Sequence, residues 1–380
     1  LIFLFLLVTT FAGVGAAFLL QGAEAAKDAV SSSDEIRIGY TSPITGALAS
    51  EGPGGLMAIK LALKQINEAG GVDGRKVHLL IEDTQSSNPG TLAALQKCVE
   101  QDKVVAIVGP MKSTQIFAIS DAIKNYGIPT MIGGTNVNLT RKGNPWLFRC
   151  RPDDSIGAAA MVKYIKEDLK LAKVGILHDT DAYGTGGADL VEQALKESGL
   201  TLVKREKYTT KDKDFTAQLL SLKNAGAQVM VLYGTNWEDV KVIQRQYRQL
   251  GSPFKYIGSP SSDTREEAAI GLLLIVDYVP GESPTSKKYA EDYRKEYGKE
   301  FFAVSAWAYD ALNILVNAIR EAGEDPSKIR EALLATKGYK GVLGTFAFTP
   351  NGDGLSQVSV VQIQEGGKHK LLKVVNVGKP

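Results

Sequence analysis

The chain has 380 residues with 44% apolar and 23% charged content, and its 44 basic and 42 acidic residues leave a formal net charge of +2. That length favours two domains over one, and the composition is that of an ordinary folded globular protein. A balanced charge without a long basic run excludes an electrostatic footprint for nucleic acid.

In chain order, Leu1 to Leu20 carry no charge, and Ala23-Glu24-Ala25 gives a small-x-small pattern. Residues 1–25 therefore read as a secretory signal peptide cleaved near Ala25, with 26–33 a short disordered leader. About 20 apolar residues could also anchor in a bilayer, but Gly13, Gly15 and the alanines make a weak anchor. The two cysteines, Cys98 and Cys150, permit one disulfide in an oxidising compartment or two buried thiols, and both readings stay open.

From Glu35 the pattern alternates. A strand at 36–40 is followed by a helix through Leu56, Ile59, Leu63 and Ile66 that stops at Gly70-Gly71. A strand at 77–81 leads to Asn88-Pro89, read as an N-cap and first helical position, and to a helix from 89 to about 102. The strand at 104–108 stops at Gly109-Pro110, Ser113 opens a helix to Tyr126, and 129–132 is a strand. After Arg151-Pro152 the alternation resumes, with helices at 155–169, 185–198, 214–225 and 237–249 and strands at 174–178, 201–208, 229–232 and 255–257. Helices at 284–297, 303–322 and 326–336 then come in a row, followed by strands at 345–348, 358–364 and 370–375. This order predicts an α/β protein of two doubly wound parallel-sheet lobes joined by a three-segment hinge. The expected crossings lie near 152, 279 and 341, giving lobes of 34–152 plus 280–340 and 153–279 plus 341–377. A cleft between such lobes, at the carboxyl ends of parallel strands, is the expected ligand site.

The chemistry along the chain is sparse. His78, His178 and His369 are the only histidines. His178 beside Asp179 and Asp181 could be a metal or acid–base cluster, though a strand end is the commoner reading. No nucleophile elbow, CxxC pair, HExxH motif or P-loop occurs. Gly52-Pro53-Gly54-Gly55 suggests a backbone kept bare for a close approach. The remaining candidates follow strand ends. They are Ser42 to Gly46 with Glu51; Ser113 and Thr114; Gly133-Gly134-Thr135-Asn136; Tyr183; Tyr233 to Trp237; and Ser259 to Asp263. Each alone suits helix capping; as a set converging on one crevice they suit ligand capture. The helix start at Ser113, after a strand and tight turn, is suited to a carboxylate.

These residues resemble a known family. Pro43-Ile-Thr-Gly46 with Gly52, Ile66-Asn-Glu-Ala-Gly-Gly-Val-Asp-Gly74, Gly109-Pro110-x-x-Ser113 and Gly127-Ile-Pro129 match in order and spacing. So do Gly134-Thr135-Asn136-x-x-Leu139-Thr140, His178-Asp179-x-x-x-Tyr183-Gly184, Ala308-Tyr309-Asp310-Ala311 and Phe348-x-x-Asn351-Gly352-Asp353. From Glu35 to about Val377 the chain is similar to the type I periplasmic substrate-binding proteins of ABC transporters, of the leucine/isoleucine/valine-binding kind.

The resemblance implies a non-enzymatic periplasmic protein, without cofactor or metal, that closes on a small ligand and delivers it to an ABC transporter permease. A monomer is expected. It implies that Ser113 and Thr135 hold the ligand carboxylate, aided by Thr114 and Gly134. A carbonyl near Gly133 would accept from an ammonium group, and Tyr183 would cover the ligand from the second lobe. Asn236 is placed in the site by a looser match, and Trp237 either stacks on an aromatic ligand or packs. Relatives that bind α-amino acids often place an acid just after the strand matching 255–257, where this chain reads Gly258-Ser-Pro-Ser-Ser-Asp263. Glu51 stands where leucine-binding relatives place a Tyr. A bare ammonium in a closed cleft is costly, so either Glu51 or Asp263 supplies its counter-charge or the ligand is an aromatic or aliphatic carboxylate. A ligand sensor acting through a separate partner and a hydrolase on the same lobes are the alternatives from other classes.

Overall fold

The computed structural model describes residues 35–299 and 305–377; the expected signal segment lies outside them. Five strands form the first sheet: β1 (Glu35–Ser42), β2 (Lys76–Asp83), β3 (Ala106–Val108), β4 (Thr130–Ile132) and β5 (Leu147–Arg149). All are parallel, in the order β2-β1-β3-β4-β5. Crossover helices Gly52–Glu68, Asn88–Gln96 and Ser113–Tyr126 link them. The last of these ends where Gly127 turns left-handed at φ 62°, a conformation that costs glycine little. Ser87, one residue ahead of the expected cap, receives the Gly90 N–H, and Asn88 is already helical.

The second sheet holds seven strands. β6 (Lys173–Asp179), β7 (Thr201–Tyr208), β8 (Val229–Tyr233), β9 (Lys255–Gly258) and β10 (Leu273–Val276) are parallel; β13 (Gln357–Ile363) and β14 (His369–Asn376) add antiparallel at the edge. β8 is buried along its whole length, as its unbroken apolar run requires of a strand covered on both faces. Helices Asp154–Glu167, Ala182–Ser198, Thr216–Asn224 and Trp237–Gln249 cover it.

The helices Pro284–Tyr297, Ala306–Ala322 and Pro326–Ala335 return to the first lobe, where Tyr293, Leu312 and Ile319 share a core with Ile38 and Ile59. Cys150 belongs to that first core and Ile156 to a second-lobe core; Val276 lies in the second lobe and Tyr278 in the first. The third passage corrects the sequence reading, which placed it near 341 and gave 341–377 to the second lobe. Val342, Leu343, Phe346, Phe348 and Leu355 bury themselves in the first core, and second-lobe packing begins with Val358. The cause is Asp310, whose carboxyl accepts the N–H groups of Val342 and Leu343, both at 2.8 Å. The strand at 345–348 accordingly does not join the second sheet. Its counterpart, β12 (Thr345–Ala347), pairs with β11 (Lys337–Lys340) in a separate ribbon. β5 and β10 were not read from the sequence, although 272–276 is an unbroken apolar run.

Cys98 and Cys150 are both buried free thiols. The bare backbone at Gly52 and Gly55 serves the chain itself: a Cβ would meet the Pro43 carbonyl at 2.2 Å and the Tyr40 hydroxyl at 2.6 Å.

Candidate functional site

Strand ends from both sheets meet at one small cavity of about 30 Å³. The first lobe contributes Glu51 after β1, Met111, Lys112 and Ser113 after β3, and Thr135 after β4, with Arg151 from the first crossing. The second lobe contributes Tyr183 after β6, Thr235 and Trp237 after β8, and Ser261 after β9.

Ser113 opens its helix with a buried side chain, and its Oγ accepts the Asn136 N–H at 3.3 Å. That bond ties the first-lobe carboxylate candidates, Ser113 and the Gly134-Thr135-Asn136 loop, into one unit. Two arginines fix the loop from behind. Arg149 is wholly buried, donates to the Gly134 and Asn136 carbonyls at 2.9 Å each, and pairs with Asp353 at 2.8 Å. Arg151 pairs with Asp277 and donates to the Gly133 carbonyl at 3.1 Å. These contacts hold the loop in one geometry beside a guanidinium that lines the cavity, a favourable surrounding for an anion.

The expected site residues fall into three groups. Glu51, Ser113, Thr135 and Tyr183 line the cavity, as do Thr235, Trp237 and Ser261 from the two later candidate runs. Gly133, Gly134 and Thr114 sit behind it: Gly133 lies against the Trp307 ring, Gly134 against Ile116 and Leu139, and the Thr114 hydroxyl is buried. Asn236 and Asp263 stand outside the lining. Asn236 is the N-cap of the helix Trp237–Gln249, accepting from the Glu238 N–H at 2.8 Å. The Gly133 carbonyl, expected to accept from a ligand ammonium, already accepts from Arg151.

Of the two acids expected to supply a counter-charge, Glu51 has other partners, whereas neither carboxyl oxygen of the buried Asp263 has a hydrogen-bond partner. Glu51 Oε2 is 2.5 Å from Lys112 Nζ, which also donates to the Thr235 carbonyl at 2.9 Å. Glu51 Oε1 takes the Trp237 N–H at 3.5 Å. Burial pushes its pKa up, and Lys112 opposes that shift. Asp263 Oδ1 lies 3.2 Å from Nε2 of His369. His178 is buried and accepts from Arg205 Nε at 3.0 Å; burial lowers its pKa. A strand-end role in packing accounts for it.

Sequence reasoning missed Lys112, Arg151 and Asp154. Lys112 read as one more charge in a turn, and Arg151 as the start of a linker. Asp154 sits in the first turn of a helix, where an acid is expected for dipole reasons alone. It is buried, its carboxyl interacts with the Thr135 hydroxyl and faces the Tyr183 phenol, and its Oδ2 has no hydrogen-bond partner. Burial raises its pKa to about 7.

The lobes also touch directly. Asn136 Nδ2 donates to the Ala182 carbonyl at 2.6 Å, and the Asp154 N–H donates to the Thr135 carbonyl at 2.8 Å. These contacts and the Lys112–Thr235 bond hold the two lobes together around the cavity.

Residues 35–368 match the profile of the periplasmic binding protein family. An amino acid binding protein of Pseudomonas aeruginosa is 30% identical over 350 residues, covering 89% of this chain and 92% of that protein. A leucine-, isoleucine-, valine-, threonine- and alanine-binding protein of the same organism is 28% identical, covering 84% and 87%. Among solved structures, a leucine binding protein of Thermotoga maritima superposes with a TM-score of 0.83 at 27% identity, covering 90% of this chain and 99% of that one. A branched-chain amino acid transporter substrate binding protein of Streptococcus pneumoniae, in complex with isoleucine, gives 0.82 at 26%, with the same coverage.

Proposed function

This chain belongs to the periplasmic binding protein family, a family of solute-binding proteins and not of enzymes, and from that premise we propose that it captures a small aliphatic α-amino acid for an ABC transporter. The protein acts as a monomer in the periplasm, released from its signal peptide near Ala25, and hands the ligand to a membrane permease. The observation that carries the reading is the convergence of Ser113 and Thr135 from one lobe with Tyr183, Thr235 and Trp237 from the other on one small cavity. The names of the relatives point to branched-chain amino acids.

The ligand carboxylate lies against Ser113, Thr135 and the start of the helix Ser113–Tyr126, with Arg151 nearby. Tyr183 and Trp237 cover it when the lobes close. Closure is a population shift, because only the closed state lets both lobes touch the ligand.

Titration calorimetry with leucine, isoleucine and valine tests this directly. Ser113→Ala and Thr135→Ala should each weaken binding by about 1–3 kcal/mol, the worth of a charge-assisted bond in a closed site. Unchanged affinity in both variants would refute the site.

A further inference from the structure

The proposed carboxylate site uses Ser113, Thr135 and Arg151, and Ser261 interacts with the Tyr183 phenol. The wall left for the ligand side chain is Met111, Trp237, Thr235 and the Glu51–Lys112 pair. That wall carries charge, whereas a branched aliphatic side chain is best buried against hydrocarbon. Glu51 and Lys112 are both buried. Two of the three N–H groups of the Lys112 ammonium have partners, Glu51 Oε2 at 2.5 Å and the Thr235 carbonyl at 2.9 Å. Among the described residues, Glu51 Oε1 takes one hydrogen bond, from the Trp237 N–H at a long 3.5 Å. One donor and most of the capacity of one acceptor therefore remain at the cavity wall.

A purely aliphatic side chain closing over this pair removes its water and returns no hydrogen bond. A buried ion pair tolerates that badly, because its remaining lone pairs and protons need partners. A carboxylate on the ligand side chain would repel Glu51, and an ammonium there would repel Lys112. A hydroxyl avoids both, since it accepts from one neighbour and donates to another.

Resting on the amino-acid reading and narrowing it, we infer that the Glu51–Lys112 pair selects a ligand with a hydroxyl on a short side chain, with threonine as the test case. The hydroxyl accepts from Lys112 Nζ and donates to Glu51 Oε1, and the side-chain methyl lies against Met111 and Trp237. Selection works by loss on the wrong ligand. Buried hydrogen-bonding groups reject an analogue that lacks the hydroxyl far more strongly than an apolar pocket rejects an added one. The pair thus has a role beyond its bond across the cleft to the Thr235 carbonyl.

Threonine and valine have nearly the same shape and differ by a hydroxyl in place of a methyl, so their affinity ratio isolates this contact. Calorimetry of wild type should show threonine bound at least tenfold more tightly than valine. Equal affinity, or a preference for valine, overturns the inference and leaves the amino-acid reading intact. The double variant Glu51→Leu with Lys112→Met replaces the pair by apolar side chains and strands no charge. Its threonine preference should fall at least tenfold; a preference kept at the wild-type level overturns the inference. The wild-type ratio decides by itself if the double variant does not fold. Thr135→Ala acts on the carboxylate that both ligands share and should weaken both alike. A ratio that collapsed in Thr135→Ala would place the hydroxyl against Thr135 and overturn the role of the pair. Failure of wild type to bind threonine, valine, leucine or isoleucine at all would instead remove the amino-acid reading, and this inference with it.

Discussion

Asp310 and Asp154 are both buried aspartates whose carboxyls burial holds at about 7. They differ in what completes them. Asp310 sits in the first-lobe core, and its two oxygens accept the N–H groups of Val342 and Leu343. Asp154 sits between the lobes with Oδ2 unpartnered. A shifted pKa alone marks both residues equally and separates neither. Hydrogen-bond completion separates them: the chain satisfies the acid that orders its own backbone and leaves incomplete the one beside the cleft.

The largest effect expected from this contrast is at Asp310. Replacing it with Ala strands two backbone N–H groups in the core and releases the segment from 341 to 355. Stability should fall by about 3 kcal/mol, two unsatisfied donors at about 1–3 kcal/mol each with partial relief by water. Denaturant titration would measure it. Leucine affinity of the folded fraction should stay within about twofold of wild type; a larger loss would erase the distinction.

The pH profile sharpens it further. A carboxyl whose folded pKa lies above its ordinary 3.8 binds its proton more tightly in the native state than in the unfolded one. The stability it confers is fully present below 3.8, is lost as pH rises through about 7, and changes no further above that. Wild type without ligand should therefore lose stability across that window. Asp154→Asn should flatten part of the loss and leave the protein at least as stable as wild type at pH 8. A variant that is clearly less stable there would make Asp154 a structural residue like Asp310.

Most of the fold was legible because it rests on local patterns. The strand–turn–helix units around Ser113, Tyr183 and Trp237 announce themselves by periodicity and caps, and seven of the residues named for the cleft, Glu51, Ser113, Thr135, Tyr183, Thr235, Trp237 and Ser261, do line it. The misses come from distant partners. Nothing near 341 signals that Asp310 will hold it on the first lobe. Nothing at Lys112 shows that it will reach Glu51, 61 positions away. Glu51 was chosen as a free charge because its neutralising partner, Lys112, is remote in sequence. Asp154 was passed over because it looks like an ordinary first-turn acid. Charge that is free and charge that is spent read alike in one dimension.

The Glu51–Lys112 pair tests whether location or completion decides a residue's role, since it lies at the cleft as Asp154 does and has a partner within the protein as Asp310 does. Lys112→Met strands the buried Glu51 carboxylate and removes the bond to the Thr235 carbonyl across the cleft. Closure should weaken, and affinity should fall about tenfold, equivalent to about 1.4 kcal/mol. Because the pair acts on closure and on the side chain and not on the ammonium, leucine and 4-methylpentanoate, the same skeleton without the amino group, should lose affinity in the same proportion. A loss confined to leucine would make Glu51 the counter-charge of the ligand ammonium.

The smallest effect belongs to Asn136. Its side chain bridges the lobes by donating to the Ala182 carbonyl, and it approaches Gly186 so closely that a Cβ there would lie 2.3 Å from Nδ2. Asn136→Ala removes one partly buried neutral hydrogen bond between the lobes, worth about 1 kcal/mol to the arrangement that encloses the cavity, along with the local bond its Oδ1 accepts from the Asn138 N–H at 3.0 Å. The backbone N–H that meets Ser113 stays in place, so the carboxylate site should keep its geometry. Affinity should fall about fivefold for both ligands, with the leucine preference unchanged, and the loss should appear in the dissociation rate measured by stopped flow. Gly186→Ala should reproduce it by pushing the same two surfaces apart. If either variant changed the preference between the ligands, enclosure and ammonium recognition would be one device, and location at the cleft, not completion, would decide a residue's role.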